Sequence, residues 1–214
     1  MLHAGDRLTR TEFERRYLAM PGLKKAELLE GVVYMPSPVR LTFHAEPHGL
    51  LCGWLAVYAA GTPGVAHAID ATLRVDEDNE VQPDLMLRIL GATGRSRVDA
   101  DHHVVGAPEL LVEVAASSVS YDMHQKLQVY RRAGVREYLV LRAEDAEVDW
   151  FELRDGRYEP ISADRPGVLA SRAFPGLCLD VPALLAGDDA ALHAAVRAGL
   201  ATDQHAAFAA SLRR

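Results

Sequence analysis

A chain of 214 residues, 49% hydrophobic and 25% charged, is long enough for one sizeable core and too apolar to be disordered. Its formal charge of -7 argues against a protein that coats nucleic acid through bulk electrostatics, but it leaves room for an enzyme with a local basic rim, because metal-binding carboxylates are counted while their ion is not. The N-terminal MLHAGDRLTRTEFERRY has no apolar signal core, no apolar run is long enough to cross a bilayer, and Cys52 and Cys178 show no metal or redox spacing; a cytoplasmic protein with two buried free thiols is expected.

In chain order, Thr9 to Met20 reads as a short helix ended by Pro21-Gly22. KKAELLEGVVYM, residues 24–35, predicts a strand, a turn at Glu30-Gly31 and a second strand of β-favouring residues, stopped by Pro36 and Pro38. Between Leu41 and Ala60 the apolar residues Leu51, Trp54, Leu55 and Tyr58 recur at helical spacing, with Pro47 near the first turn. AHAIDATLRVD and VQPDLMLRI predict a strand pair joined at Glu77-Asp78-Asn79, with Asp84 inside the second strand.

Residues 91–107 are rich in glycine and charge and predict a long loop. ELLVEVAA after Pro108 is a nearly continuous apolar run broken by Glu113, the pattern of a strand buried on both faces. A helix from Asp122 to Ala133, capped by Gly134, follows, and then three strand-like segments: REYLVLR, EVDWFEL and RYEPI. The alanine-rich residues 182–214 predict a helical extension packed on the preceding domain, residues 1–181, or on a partner subunit; Asp188 caps it and Leu192, Val196 and Leu200 form its apolar stripe. The succession implies an α+β fold, a mixed sheet flanked by helices.

A charge buried in a sheet costs several kcal/mol unless it is paired or holds a metal. Glu113 inside LLVEVAA therefore needs a partner, and Asp84 in QPDLML makes the same demand. Two carboxylates meeting at a sheet edge can hold magnesium or manganese. Lys126 lies on the next helix, four residues after Asp122 and on the same face, where it can orient a water or stabilise charge on a phosphate. Taken singly, each residue has a bland reading: a turn cap for Asp84, a buried ion pair for Glu113. His44 and His48, four apart, lack the glutamate of a zinc helix, so zinc is not expected. Arg95 and Arg97 are weak candidates for phosphate contacts.

AELLEGVVYMPSP, the following His44, VQPDLML, APELLVEVAASS and YDMHQKLQVYRRAGVREYLVL together resemble the Uma-two family of restriction endonuclease-like proteins, within the PD-(D/E)XK nuclease superfamily. The resemblance covers about Lys24 to Tyr158 and lies in the order and spacing of the blocks. It implies a restriction-endonuclease-like core with Asp84 and Glu113 as metal ligands, the Val114 backbone carbonyl as a third oxygen and Glu27 completing the shell. The superfamily lysine, two positions after the acid, would fall at Ala115; the resemblance places it instead at Lys126, and His44 matches an early family histidine. Ala116, Leu139 and Arg142 depart from the family's serine, tryptophan and aspartate, changes that bear on substrate contacts and packing more than on the metal. The expected activity is magnesium- or manganese-dependent endonucleolytic hydrolysis, acting on DNA, by a homodimer. The rival readings are an inactive nuclease-fold binding or scaffold module, and a hydrolase of small phosphate esters.

Overall fold

The computed structural model describes residues 1–35, 40–116, 119–163 and 165–213. Pro36 and Pro38, expected to end a strand, lie outside the described residues, as do Ser117 and Ser118. Helix α1 (Arg10–Leu18) precedes strands β1 (Glu27–Leu29) and β2 (Val32–Tyr34). Leu41–Ala45 forms a π-helical turn that enters α2 (Glu46–Gly61). Strands β3 (Val65–Ile69), β4 (Leu73–Asp76), β5 (Asn79–Val81), β6 (Leu85–Ile89), β7 (Ser96–Val98), β8 (Val104–Gly106) and β9 (Leu110–Ala115) follow. A second π-helical turn, Tyr121–Lys126, runs into α3 (Leu127–Ala133). Strands β10 (Glu137–Arg142), β11 (Glu147–Arg154), β12 (Arg157–Pro160), β13 (Val168–Ala170) and β14 (Cys178–Asp180) lead to helices α4 (Val181–Ala186), α5 (Asp189–Leu200) and α6 (Asp203–Ser211).

Two six-stranded mixed sheets carry the fold, ordered β12-β11-β10-β9-β6-β3 and β2-β1-β5-β4-β8-β7. In the first, β9 and β10 run parallel and are joined through α3, while the other pairs are antiparallel. Every residue of β9 is buried, as its apolar run predicts. Its side chains alternate: Leu110, Val112 and Val114 pack into a core with Leu51, Trp54, Leu55 and Tyr58 of α2, whereas Leu111 and Ala115 pack with Val129 and Tyr130 of α3. Glu113, by the same alternation, faces α3. Leu192 and Val196 of α5 are fully buried in the α2 core, and the Asp188 carboxylate caps α5 by accepting the Ala191 N–H.

The Glu27–Tyr34 hairpin has the predicted two-residue turn, and both turn residues have positive φ, 51° at Glu30 and 71° at Gly31, the backbone a tight right-twisted hairpin requires. Four expectations need correcting. Residues 65–69 and 73–76 form two strands in different sheets, because Asp70, with φ 49°, turns the chain between them; β3 pairs with β6 and β4 with β5. Asp84 stands one residue before β6 and not inside the strand. The loop expected over 91–107 contains the antiparallel pair β7–β8, strands of three residues too short to show a period. Cys52 and Cys178, expected to be buried, are only half-buried.

Candidate active site

The β6–β9 ladder ends at the pair Leu85–Val112, so Asp84 is delivered beside Glu113 at the edge of the sheet. Asp84 replaces the missing rung with its side chain: Oδ2 accepts the Val114 N–H at 2.8 Å. The other oxygen, Oδ1, has Lys25 Nζ at 3.5 Å and His44 Nε2 at 3.7 Å. Both acids are 4% exposed or less.

Glu113 Oε1 accepts from Lys126 Nζ at 2.9 Å and from the Tyr130 hydroxyl at 3.0 Å. Tyr130 lies one helical turn beyond Lys126, so one face of the helix serves one carboxylate oxygen. Lys126 also lies 3.2 Å from Glu27 Oε1 and 3.5 Å from Asp122 Oδ1. Glu27, first residue of β1, is fixed by accepting the Gln82 N–H at 2.8 Å, which ties the second sheet to the segment leading into Asp84. Lys25 reaches in from the residue pair before β1 and also touches Asp70 at 3.5 Å.

Four buried carboxylates, Glu27, Asp84, Glu113 and Asp122, thus face the ammonium groups of Lys25 and Lys126. The electrostatics follow from that crowding. Burial, reinforced by Asp84, Asp122 and Glu27, pushes the Glu113 carboxyl well up despite Lys126. Burial opposes charge on Lys126, but Glu113, Glu27 and Asp122 outweigh it and hold the ammonium charged. For Lys25 the same contest between burial and Asp84, Glu27 and Glu113 ends in the same direction.

The acids form the floor of a cleft of about 1270 Å³ whose lining includes Lys25, Arg40, His44, His48, Tyr34 and Tyr121. The π-helical turns bracket it. The first, closed by the Ala45 N–H on Arg40 O, carries His44; the second carries Asp122 and Lys126. Such wide turns recur at functional sites. His44 and His48 stack with ring centroids 5.8 Å apart. His44 Nδ1 donates to Val114 O at 2.9 Å, and His48 Nε2 donates to Asp84 O at 3.2 Å.

The structure therefore brings Asp84, Glu113, Lys126, Glu27, Asp122, His44 and the Val114 carbonyl into one place. Arg95 and Arg97 are elsewhere: Arg95 donates to Gly134 O, both are exposed on or beside β7, and neither lines the cleft. Lys25, Tyr130 and the second histidine's carbonyl contact were missed as site features. Tyr130 packs in the core among the apolar residues of α3, and nothing local in the sequence marks its hydroxyl as serving Glu113.

Among the described residues, the group whose carboxylate and imidazole atoms all fall within 4.8 Å of one another is a different one: Asp99, Asp101 and His103. Both of its carboxylates are already paired with Arg74, whose Nη1 lies 2.6 Å from Asp99 and 2.9 Å from Asp101.

No match was found among curated proteins. Among solved structures, a crystal structure titled "putative nuclease belonging to DUF820", from Anabaena variabilis, superposes with a TM-score of 0.60 at 14% identity, covering 81% of this chain and 97% of that one. At that identity the likeness establishes a shared fold, which for this chain is nuclease-like. The family described as "Uma2: Putative restriction endonuclease" matches residues 11–182, a span that holds every acid and lysine of the cleft, and the chain belongs to that family.

Proposed function

We propose that the cleft is the active site of a magnesium- or manganese-dependent endonuclease that hydrolyses phosphodiester bonds in DNA. The observation that carries this reading is the excess of buried carboxylates over ammonium groups on the floor of an open cleft. Removed from water, such an excess is costly unless a proton or a cation offsets it. Oxygen donors of this kind suit a hard divalent ion, so the donor chemistry fits the metal that the family implies. Asp84 Oδ1, Glu113 and Glu27 would hold it; the Val114 carbonyl, which the resemblance implies as a further oxygen, accepts from His44 Nδ1 at 2.9 Å. When bound, such an ion polarises a phosphoryl oxygen and acidifies a water.

The chain's own residues do the rest. Lys126 locks Glu113 and Glu27 in position and presents a positive charge for a phosphate oxygen. Tyr130 fixes the Glu113 oxygen that Lys126 shares. Lys25 adds a second ammonium on the Asp84 side. The cleft exceeds the roughly 300–1,000 Å³ of pockets that enclose small ligands, which favours a polymer over a small phosphate ester. The reading includes a two-fold homodimer, because cutting both strands of a duplex needs two sites.

Supercoiled DNA incubated with purified protein should be nicked or linearised in magnesium or manganese and left intact in EDTA. Cleavage that survives both Asp84→Ala and Glu113→Ala would overturn the assignment. Sedimentation showing monomer alone at micromolar concentration would contradict the dimer.

A further inference from the structure

The two oxygens of Asp84 have different fates. Oδ2 accepts the Val114 N–H, whereas Oδ1 has Lys25 and His44 beside it. His44 is the group turned toward it from the helix side, and the protonation pattern of that ring can be deduced. A carbonyl oxygen only accepts, so the 2.9 Å contact of Nδ1 with Val114 O places the ring hydrogen on Nδ1. In the unprotonated form that a metal ligand needs, Nε2 presents its lone pair.

That lone pair and Asp84 Oδ1 are 3.7 Å apart. The gap is too long for a hydrogen bond. Metal–ligand distances of about 2.0–2.2 Å place two ligands of one ion roughly 3–4 Å apart, which is the spacing found here. The ring is held for such a task from its far side, as ligating histidines are when their other nitrogen donates to a carbonyl. His48 supports the arrangement by stacking on His44 and donating to Asp84 O.

We propose that His44 Nε2 is a ligand of the divalent cation bound by Asp84, so that the site is a mixed nitrogen–oxygen one; this rests on the metal-dependent reading above. Lys25, now 3.5 Å from Asp84 Oδ1, keeps its second partner Asp70 when the ion competes for that oxygen. A nitrogen ligand shifts preference away from magnesium and toward manganese and later transition metals.

The test is electron spin-echo spectroscopy of manganese bound to the full-length protein. Bound manganese should show modulation from a directly coordinated ¹⁴N, converted to the ¹⁵N pattern when the histidines are ¹⁵N-labelled. His44→Gln, whose amide can still donate to Val114 O, should abolish the modulation while manganese binds at least about tenfold more weakly. His48→Gln and His103→Gln should retain it. Manganese that binds in an Asp84- and Glu113-dependent way without nitrogen modulation overturns the role of His44 and leaves the metal-dependent reading intact. Modulation that persists in His44→Gln also overturns it. Absence of any binding that depends on Asp84 and Glu113 overturns both. The labelling experiment needs no substitution, so the role of a nitrogen ligand remains testable if a His44 variant unfolds.

Discussion

Two clusters in this protein have nearly the same inventory and different environments. On the cleft floor, Glu27, Asp84, Glu113 and Asp122 surround Lys25 and Lys126. On the second sheet, Glu14, Glu80, Asp99 and Asp101 surround Arg74, with Arg10 against Glu14. The second cluster includes the more compact trio of Asp99, Asp101 and His103, both of whose carboxylates pair with Arg74, but Asp101 is 68% exposed at its side chain, so water shares the neutralisation. Where the carboxylates crowd, at buried Glu80 beside Glu14, the excess is relieved by holding a proton: burial and Glu14 push the Glu80 carboxyl up to about 8. Glu113 is pushed up by burial in the same way, but its cluster opens onto a space large enough for substrate, where a divalent cation could take the proton's place. On the reading proposed above, acids that are dry and face a cleft mark chemistry better than compact acidic geometry does.

Substitutions can break or sharpen this contrast. The largest expected effect is Lys126→Ala, which leaves three carboxylates without their shared cation and should cost about 3–5 kcal/mol of stability in urea unfolding. If it unfolds no earlier than wild type, the cleft cluster is not dry. Asp84→Asn, which can still accept the Val114 N–H, should keep the fold while cleavage falls about 100-fold or more. Arg74→Ala is the counterpart: a loss of about 1–3 kcal/mol from its charged hydrogen bonds, with cleavage per folded molecule unchanged. An equal loss of activity there would erase the distinction between the clusters.

The last effect concerns pH. The folded-state pKa of Glu80 is raised from 4.5 to about 8. The unfolded chain therefore loses this proton first, and the stability the protonated group contributes, complete below about pH 4.5, is lost as pH rises toward about 8. Melting temperature should fall over that window, and Glu80→Gln should flatten the fall; an unchanged pH profile would remove Glu80 as the proton-holding group.

The same contrast explains what the sequence could and could not show. The Glu30-Gly31 hairpin, helix α2, the doubly buried β9 and the Gly134 cap were legible because each is a local pattern of period, burial or positive φ. Glu113 was legible as a charge inside an apolar run. That signal is ambiguous, however: Glu109 and Glu137 are just as buried beside the same strands, and neither was singled out. They serve the backbone, Glu109 by accepting the Ile89 and Arg95 N–H groups and Glu137 by accepting from Ser171, Arg172 and Ala173. Spacing cannot tell a carboxylate that pins a loop from one that holds a cation, because the difference lies in partners distant in sequence. Lys25 was illegible for a related reason: beside Lys24 it reads as a solvated charge, and only the fold carries it to Asp84.

The central claim is that the cleft, and not the better-formed surface trio, takes the divalent cation. Crystals soaked in manganese and measured at its absorption edge test this directly. The account predicts an anomalous peak against the carboxylates of Asp84 and Glu113; a peak confined to Asp99, Asp101 and His103, or none at either cluster, would contradict it.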